Sequence, residues 1–315
     1  MGRLIGRRLL SLVPVLAVLA VVTFIIIHLT PGNPAEVILG NGATIGQINR
    51  LTRQLGLDKP LVQQFGSWLV NVLHGNLGRS IFYDQPVLTV IGSHIMPTVY
   101  LSVLATLLSI VIALPIGVLA AWRERSWLDR FVTSGSILGV SIPSFWLAIM
   151  LVVVFAVALA WVPVSGYVAP SAGVGEWLMH LILPVVVLSA GQSALIARML
   201  RDGMSESLKK PYIRSSRARG ASEREVLLFH ALPNAVIPTL TVIGNSLASL
   251  LSGVVVVEVV FDIPGLGNLI IQAIDNRDYP LIQGIVLVFA LIYVAVNLLV
   301  DLSYPLLDPR LRHNG

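Results

Sequence analysis

The residues best able to bind a metal or move a proton near neutral pH are the six histidines, at positions 28, 74, 94, 180, 230 and 313. None recurs at i, i+4 with a glutamate, so the chain has no zinc-protease helix. Cysteine is absent, which removes disulfides, iron–sulfur clusters and thiolate zinc sites. No G-x-x-x-x-G-K-[ST] occurs, so nucleotide hydrolysis by a P-loop is excluded. No catalytic residue, cofactor or metal is expected. What remains is neutral hydrogen-bonding chemistry inside apolar runs: Ser109, Ser141, Ser144, Gln192, Ser193, Asn245, Ser246, Ser249, Ser252 and Asn297. Such groups bond between helices or line a path for a polar solute. Two ionisable residues, Glu258 and Arg277, flank the turn Pro264-Gly265-Leu266-Gly267 and could pair across its base.

The elements that must hold these groups follow from composition. Hydrophobic residues make up 56% of the chain and charged residues 12%, about half the roughly 25% of a soluble domain. A soluble fold of 315 residues cannot hide that much apolar surface. Six long stretches lack Asp, Glu, Lys and Arg and approach the length that crosses about 30 Å of hydrocarbon: Leu9–Ile27, Thr98–Ala121, Phe131–Ala160, Leu181–Ala197, Ala235–Val257 and Leu281–Val300. The first begins like a secretion signal, but its apolar run is too long and no small-x-small cleavage site follows. It reads as a retained helix.

Basic residues orient the spans. Of 21 lysines and arginines, sixteen fall before the first span, between the second and third, between the fourth and fifth, and after the sixth. Only Arg50, Arg53, Lys59, Arg79 and Arg277 fall on the other side. Positively charged loops stay cytoplasmic, so both termini are expected there, and the net charge of +5 reflects a membrane rather than nucleic acid. Trp122 and Trp127 on one side and Trp161 and Trp177 on the other match interfacial aromatic belts.

Two polar segments lie outside the bilayer. In residues 28–97, Thr44 and Gln47 make a capping box before an apolar face of Ile45, Ile48, Leu51 and Leu55. A second helix after Asp58-Lys59-Pro60 carries Val62, Phe65, Leu69 and Val72, with Gly75 as its stop. This region either caps the outer mouth or docks a soluble partner. In the cytoplasmic segment 198–234, Pro211 interrupts one helix, Gly220 permits a sharp turn, and Ser222 with Glu225 caps a short helix that Pro233 ends. Its Val226, Leu227, Leu228 and Phe229 form an apolar cluster that suits either a partner's groove or an anionic lipid surface. The spans carry no ionisable midplane group of the kind ion-driven carriers use, so energy is expected to enter from elsewhere.

One short peptide, Leu188-Ser189-Ala190-Gly191-Gln192, resembles the signature of transport ATPases. It sits inside an apolar span without the other ATPase motifs, so it reads as small-residue helix packing. A broader resemblance runs along the whole chain. Tyr212-Ile213-Arg214-Ser215-Ser216-Arg217-Ala218-Arg219-Gly220, continuing to His230-Ala231-Leu232-Pro233, resembles the coupling loop of binding-protein-dependent ABC importer permeases. Set on Gly220, the family pattern E-A-A, three residues, G, nine residues, I-x-L-P is matched at the glycine, Leu232 and Pro233. It is not matched at Arg214, Ser215, Ser216 and His230. That departure is similar to the peptide and nickel branch, as are Thr30-Pro31-Gly32-Asn33-Pro34, Gly75-Asn76-Leu77-Gly78-Arg79-Ser80, Glu258-Val259-Val260-Phe261 and Arg277-Asp278-Tyr279-Pro280.

The resemblance implies an all-α membrane protein of the type I ABC importer permease, or MetI-like, architecture in the cell inner membrane of a bacterium or archaeon. It implies the first subunit of a permease pair, two cytoplasmic ATPase subunits and an extracytoplasmic solute-binding protein, besides membrane lipid. Residues 1–28 are expected as an N-terminal span, 29–97 as an extracytoplasmic helical insertion and 98–309 as a five-helix core with coupling loop 199–234. ATPase coupling is expected at Arg214, Ser215, Ser216, Arg217, Arg219, Gly220, Leu228, Leu232 and Pro233. The translocation path or gate is expected at Ser141, Gln192, Asn245, Ser249, Glu258 and Arg277. The alternatives are an ion-coupled secondary carrier and a non-transporting scaffold. The solute is open among dipeptides, oligopeptides, glutathione and nickel chelates.

Overall fold

The computed structural model describes residues 14–25, 34–39, 42–54 and 56–307. Arg3, Arg7, Arg8, His28, Thr30 to Asn33, Leu55, Arg310, Arg312 and His313 lie outside the described residues. Helices account for the regular structure, and among the described residues only one isolated β-bridge occurs, between Arg79 and Pro86. Among the described residues, four helical segments are long and apolar enough to cross a membrane: Val87–Trp122, Val174–Leu208, Glu223–Leu247 and Tyr279–Val300.

The chain divides into two compact units, one built on residues 97–267 and 295–315 and the other on residues 2–96 and 268–294. In the first, the later part of α5 (Val87–Trp122) leads to α6 (Trp127–Ser141), α7 (Ser144–Leu151), α8 (Val174–Leu208), α9 (Pro211–Ala218), the single turn α10 (Glu223–Glu225) and α11 (Leu232–Val260). Helix α8 is central, packing on α6, α7 and α11. Its buried Leu181, Leu183, Val185, Val187 and Leu188 meet Leu101 and Ala105 of α5 and Leu250, Val254 and Val257 of α11. Close approach depends on small residues: a Cβ on Gly117 would lie 2.9 Å from the Ala197 carbonyl, and one on Gly139 would lie 3.1 Å from Ala194 Cβ. A Cβ on Gly135, one turn earlier on α6, would meet only the Phe131 ring of its own helix, at 3.9 Å.

The expected third span, Phe131–Ala160, is not one helix. It breaks after Ser141, where Pro143 lacks an N–H and disfavours helix at Ile142, then restarts at Ser144 and runs into a π-helical turn over Val152–Ala158. Pro115, Pro184 and Pro238 instead sit inside continuous helices α5, α8 and α11.

In the second unit, α1 (Pro14–Ile25) sets Phe24 against Phe65 and Trp68 of α4 (Leu61–Leu73), with ring centroids 5.3 and 5.8 Å away. Helices α2 (Pro34–Leu39) and α3 (Ile45–Gln54) pack together. The Thr44–Gln47 box forms in both directions, Thr44 N–H to Gln47 Oε1 at 2.9 Å and Gln47 N–H to Thr44 Oγ1 at 3.4 Å. Helix α4 ends at Leu73 with Gly75 at φ +76°. It buries none of its residues, and Val62 of the expected stripe is exposed. Most of α12 (Leu266–Asp275) and the first half of α13 (Tyr279–Leu307) complete this unit.

Candidate functional site

A groove of about 410 Å³ opens between the α6–α7 break, α8 and α11 of the first unit. Gln192, Asn245 and Ser249, three of the expected path residues, line it together with Ser144 and Ser246. Every other lining residue is apolar or glycine, and no ionisable side chain is present in the lining. Gln192 is held at both ends of its amide: it accepts from Ser109 Oγ at 3.2 Å and donates to the Ser246 carbonyl at 3.0 Å. Ser246 Oγ is buried and has no hydrogen-bond partner among the described residues. Ser141 is exposed at the end of α6, immediately before the break, its hydroxyl donating to the Ile137 carbonyl. A Cβ on Gly191 of the Leu188–Gln192 peptide would lie 3.5 Å from the Gly139 carbonyl oxygen, so that peptide faces α6 as a helix contact.

Glu258 is elsewhere and is fully buried at the end of α11. Its Oε1 accepts from Thr98 Oγ1 at 2.6 Å and its Oε2 from the Gly267 N–H at 2.7 Å, while Thr98 Oγ1 also accepts the Leu266 N–H at 2.8 Å. The carboxylate thus fixes the Pro264–Gly267 turn directly, and burial is tolerable because donors face both oxygens. Both glycines are required sterically. A Cβ on Gly265 would fall on the Glu258 carboxylate, and one on Gly267 would lie 2.5 Å from Val255 Cα.

Arg277 is exposed in a left-handed turn at φ +52°, and the buried acid beside it, Asp278, fixes its own neighbourhood. Asp278 accepts from Ser80 Oγ, from the Phe82 N–H at 3.0 Å and from the Leu281 N–H at 3.2 Å. That arrangement clasps the loop before α5 to the start of α13.

The loop after α8 turns as its sequence requires. Pro211 opens α9, Gly220 takes φ +88° with no atom within 4 Å of a would-be Cβ, and Ser222 Oγ caps the Glu225 N–H at 3.3 Å. From α10 the chain continues through a π-helical turn, Val226–Ala231, into α11. The four-residue apolar cluster divides here: Val226 and Leu227 are buried with Ile213, Leu200 and Met204, whereas Leu228 and Phe229 are 37% and 72% exposed. Four consecutive apolar residues circle a helix, so only half of them can face one core. Arg217 pairs with Glu223 in this chain, Nε to Oε1 at 2.8 Å and Nη2 to Oε2 at 3.0 Å. Arg214, Ser215 and Arg219 are exposed, Ser216 is buried, Leu232 is half-buried and Pro233 is exposed. Tyr212 Oη bridges to Ser207 at 2.6 Å and accepts from Asn234 at 3.1 Å, tying α9 to both flanking helices.

Sequence reasoning missed a clamp beside this loop. Arg201 of α8 donates to Asp129 of α6 through Nε at 2.6 Å and Nη2 at 2.9 Å, and the Arg125 N–H reaches the same carboxylate at 2.7 Å. The Arg201 guanidinium holds the Asp129 carboxyl below the usual carboxylate range. Lys209 bonds Glu124 at 2.9 Å and lowers its pKa in the same way.

Comparison with known proteins gives the arrangement a family. The model described as binding-protein-dependent transport system inner membrane component matches residues 113–313, and its N-terminal counterpart matches residues 1–101. A probable peptide ABC transporter permease, y4tP of Sinorhizobium fredii, is 45% identical over 313 residues, covering 99% of this chain and 100% of its own. The dipeptide transport permease DppB of Alkalihalophilus pseudofirmus is 40% identical, covering 98% of each chain. The glutathione transport permease GsiC of Escherichia coli is 39% identical, again covering 98% of each. In fold, a chain of the inward-facing MetNI methionine ABC transporter superposes with a TM-score of 0.57 at 21% identity, covering 70% of this chain and 96% of that one. A chain of an amino acid ABC transporter crystallised with histidines gives 0.52 at 16% identity, covering 69% and 93%. These relatives displace the ion-coupled carrier and scaffold alternatives. The chain belongs to the family of inner-membrane components of binding-protein-dependent transport systems, and it is a transmembrane permease of an ABC importer.

Proposed function

We propose that this chain is one of two permease subunits of a heterodimeric pore that carries peptides or related small solutes. An extracytoplasmic binding protein delivers the solute, and two cytoplasmic ATPase subunits drive the cycle. The observation that carries the reading is the groove on α8 and α11, lined by Gln192, Asn245 and Ser249 without ionisable groups. Neutral amides and hydroxyls match the backbone of a peptide, whose amide groups need partners once they leave water. The peptide and glutathione permeases among the relatives support that solute class.

The full topology is six spans with both termini cytoplasmic. It rests on the distribution of arginine and lysine and joins α6 and α7 into one broken span. Residues 1–28 form the first span, 29–97 the outer insertion and 98–309 the core, with 199–234 as the coupling segment. Arg214, Ser215, Ser216, Arg217, Arg219, Gly220, Leu228, Leu232 and Pro233 transmit ATPase motion, Leu228 as an exposed apolar contact. Ser141 extends the path beyond the groove. Glu258 and Arg277 belong to the outer gate, Glu258 by holding the Pro264–Gly267 turn. The insertion faces the binding protein, with the exposed surface of α4 available to it.

Co-expressing the chain with its partner subunits, purifying through a tag on this chain and reconstituting into vesicles tests the reading. The ATPase should co-purify, and labelled peptide should accumulate only with ATP and the loaded binding protein. Uptake without ATP, or a complex lacking ATPase, would refute it.

A further inference from the structure

The turn joining α5 to α6 separates its charges by direction. Its two acids face α8, Glu124 on Lys209 at 2.9 Å and Asp129 on Arg201 at 2.6 Å. Its three arginines, Arg123, Arg125 and Arg130, are exposed, and among the described residues none has a carboxylate side chain within ion-pair distance. The turn is also held open. Arg125 sits at φ +67°, unusual for a side chain with a Cβ, and its N–H bond to Asp129 Oδ2 at 2.7 Å keeps it there. Aromatic rings frame the patch. Arg123 lies 5.4 Å from the Trp122 ring centroid, and Trp127 and Phe131 are exposed one helical turn apart on α6.

We propose that this turn binds the phosphate headgroup of an anionic phospholipid, with Arg123, Arg125 and Arg130 contacting the phosphate and Trp122, Trp127 and Phe131 resting on its acyl and glycerol region. The proposal rests on the membrane orientation given above, which puts the turn at the cytoplasmic surface. Charge complementarity selects the occupant: three guanidiniums left uncompensated within eight residues attract a phosphodiester, and indole rings prefer the headgroup level. Because Asp129 joins this turn to Arg201 of α8, a bound lipid would also brace the helix that leads into the coupling segment.

The test uses the assembled importer in nanodiscs of phosphatidylcholine with and without phosphatidylglycerol, and counts retained lipids by native mass spectrometry. Wild type should retain phosphatidylglycerol in preference to phosphatidylcholine. Each Arg→Gln change at 123, 125 and 130 should weaken that preference by about fivefold, and the triple variant should abolish it. The charge-matched control Arg50→Gln/Arg53→Gln/Lys59→Gln, on the opposite basic set, should keep it. Wild type without a preference, or a triple variant that retains it, would overturn the proposal. So would displacement of the lipid by inorganic phosphate, or loss of ATPase association by the triple variant in lipid-free detergent, which would make the patch a protein contact. ATP-dependent uptake, measured in parallel, reports separately on the importer function itself.

Discussion

Two glycine-to-alanine changes should behave differently because one glycine is packed against its neighbours and the other stands in open space. At Gly267 the new Cβ would sit 2.5 Å from Val255 Cα and 2.8 Å from Glu258 Oε2, where ordinary contacts run 3.4–4 Å. Neither neighbour can rotate away, since one is backbone of α11 and the other is fixed by Thr98. The turn must shift, which costs about 1–3 kcal/mol as overpacking. Shifting also stretches the 2.7 Å bond from the Gly267 N–H to the buried carboxylate, a charge-assisted bond contributing about 1.5–3 kcal/mol. A loss near 3 kcal/mol or more follows. At Gly220 nothing lies within 4 Å, so Gly220→Ala meets only the left-handed backbone cost of about 1–2 kcal/mol. Fluorescence-detected size exclusion of heated, tagged protein in one detergent compares the two. The midpoint should fall by about 6–12 °C for Gly267→Ala and by a smaller amount, about 2–8 °C, for Gly220→Ala. Equal midpoints, or a Gly267→Ala protein as stable as wild type, would refute the account of the Glu258 turn.

Leu228→Asp should leave the chain folded and reduce ATPase co-purification, whereas Val226→Asp, at a fully buried position, should prevent folding; comparing pull-down with expression separates them. Asp129→Asn should destabilise by about 1–3 kcal/mol, because it removes the two-pronged carboxylate partner of the partly buried Arg201 and leaves only Asp202, at 2.9 Å, to balance its charge. The sign with pH follows from the lowered Asp129 pKa: its stabilisation is complete above the unfolded value near 4 and is lost as pH falls through the lower folded value, so the gap between wild type and Asp129→Asn should close in acid melting curves. Asn245→Leu with Ser249→Ala should slow peptide uptake while thermal stability and ATPase association hold, since both side chains are exposed on the groove wall.

Local pattern was enough for the elements set by a local cause. The apolar runs gave α5, α8, α11 and α13 because hydrocarbon thickness fixes their length, and Thr44, Gln47, Ser222 and Glu225 marked caps that form. The broken third span was legible in Pro143, but an uninterrupted run of apolar residues masked it: hydropathy reports burial in lipid and says nothing of helix continuity. Three groups of the candidate site, Gln192, Asn245 and Ser249, were singled out as polar residues in apolar helices, and they share one groove. The polar pairs were illegible for a different reason. Asp129–Arg201, Thr98–Glu258 and Ser80–Asp278 join positions 72, 160 and 198 residues apart, and no helical or strand period links such positions.

Those pairs share a logic that the composition already constrains. With 12% charged residues, the chain has few carboxylates to spend, yet Asp129, Glu258 and Asp278 are all buried. Each stands at a helix end, and each receives N–H donors from a connecting turn or from a helix's first turn: Arg125, Gly267, and Phe82 with Leu281. A turn between membrane helices exposes backbone groups that no helix satisfies, and one carboxylate accepts several of them at once. The groove shows the complementary rule, since its lining holds only neutral polar groups. An ionised side chain there would hold an oppositely charged solute strongly in a low dielectric, or stand unpaired once the solute left. Amides and hydroxyls bond weakly enough to release. The buried carboxylates therefore serve turns that must keep their shape, and neutral polarity lines a surface that a solute must leave.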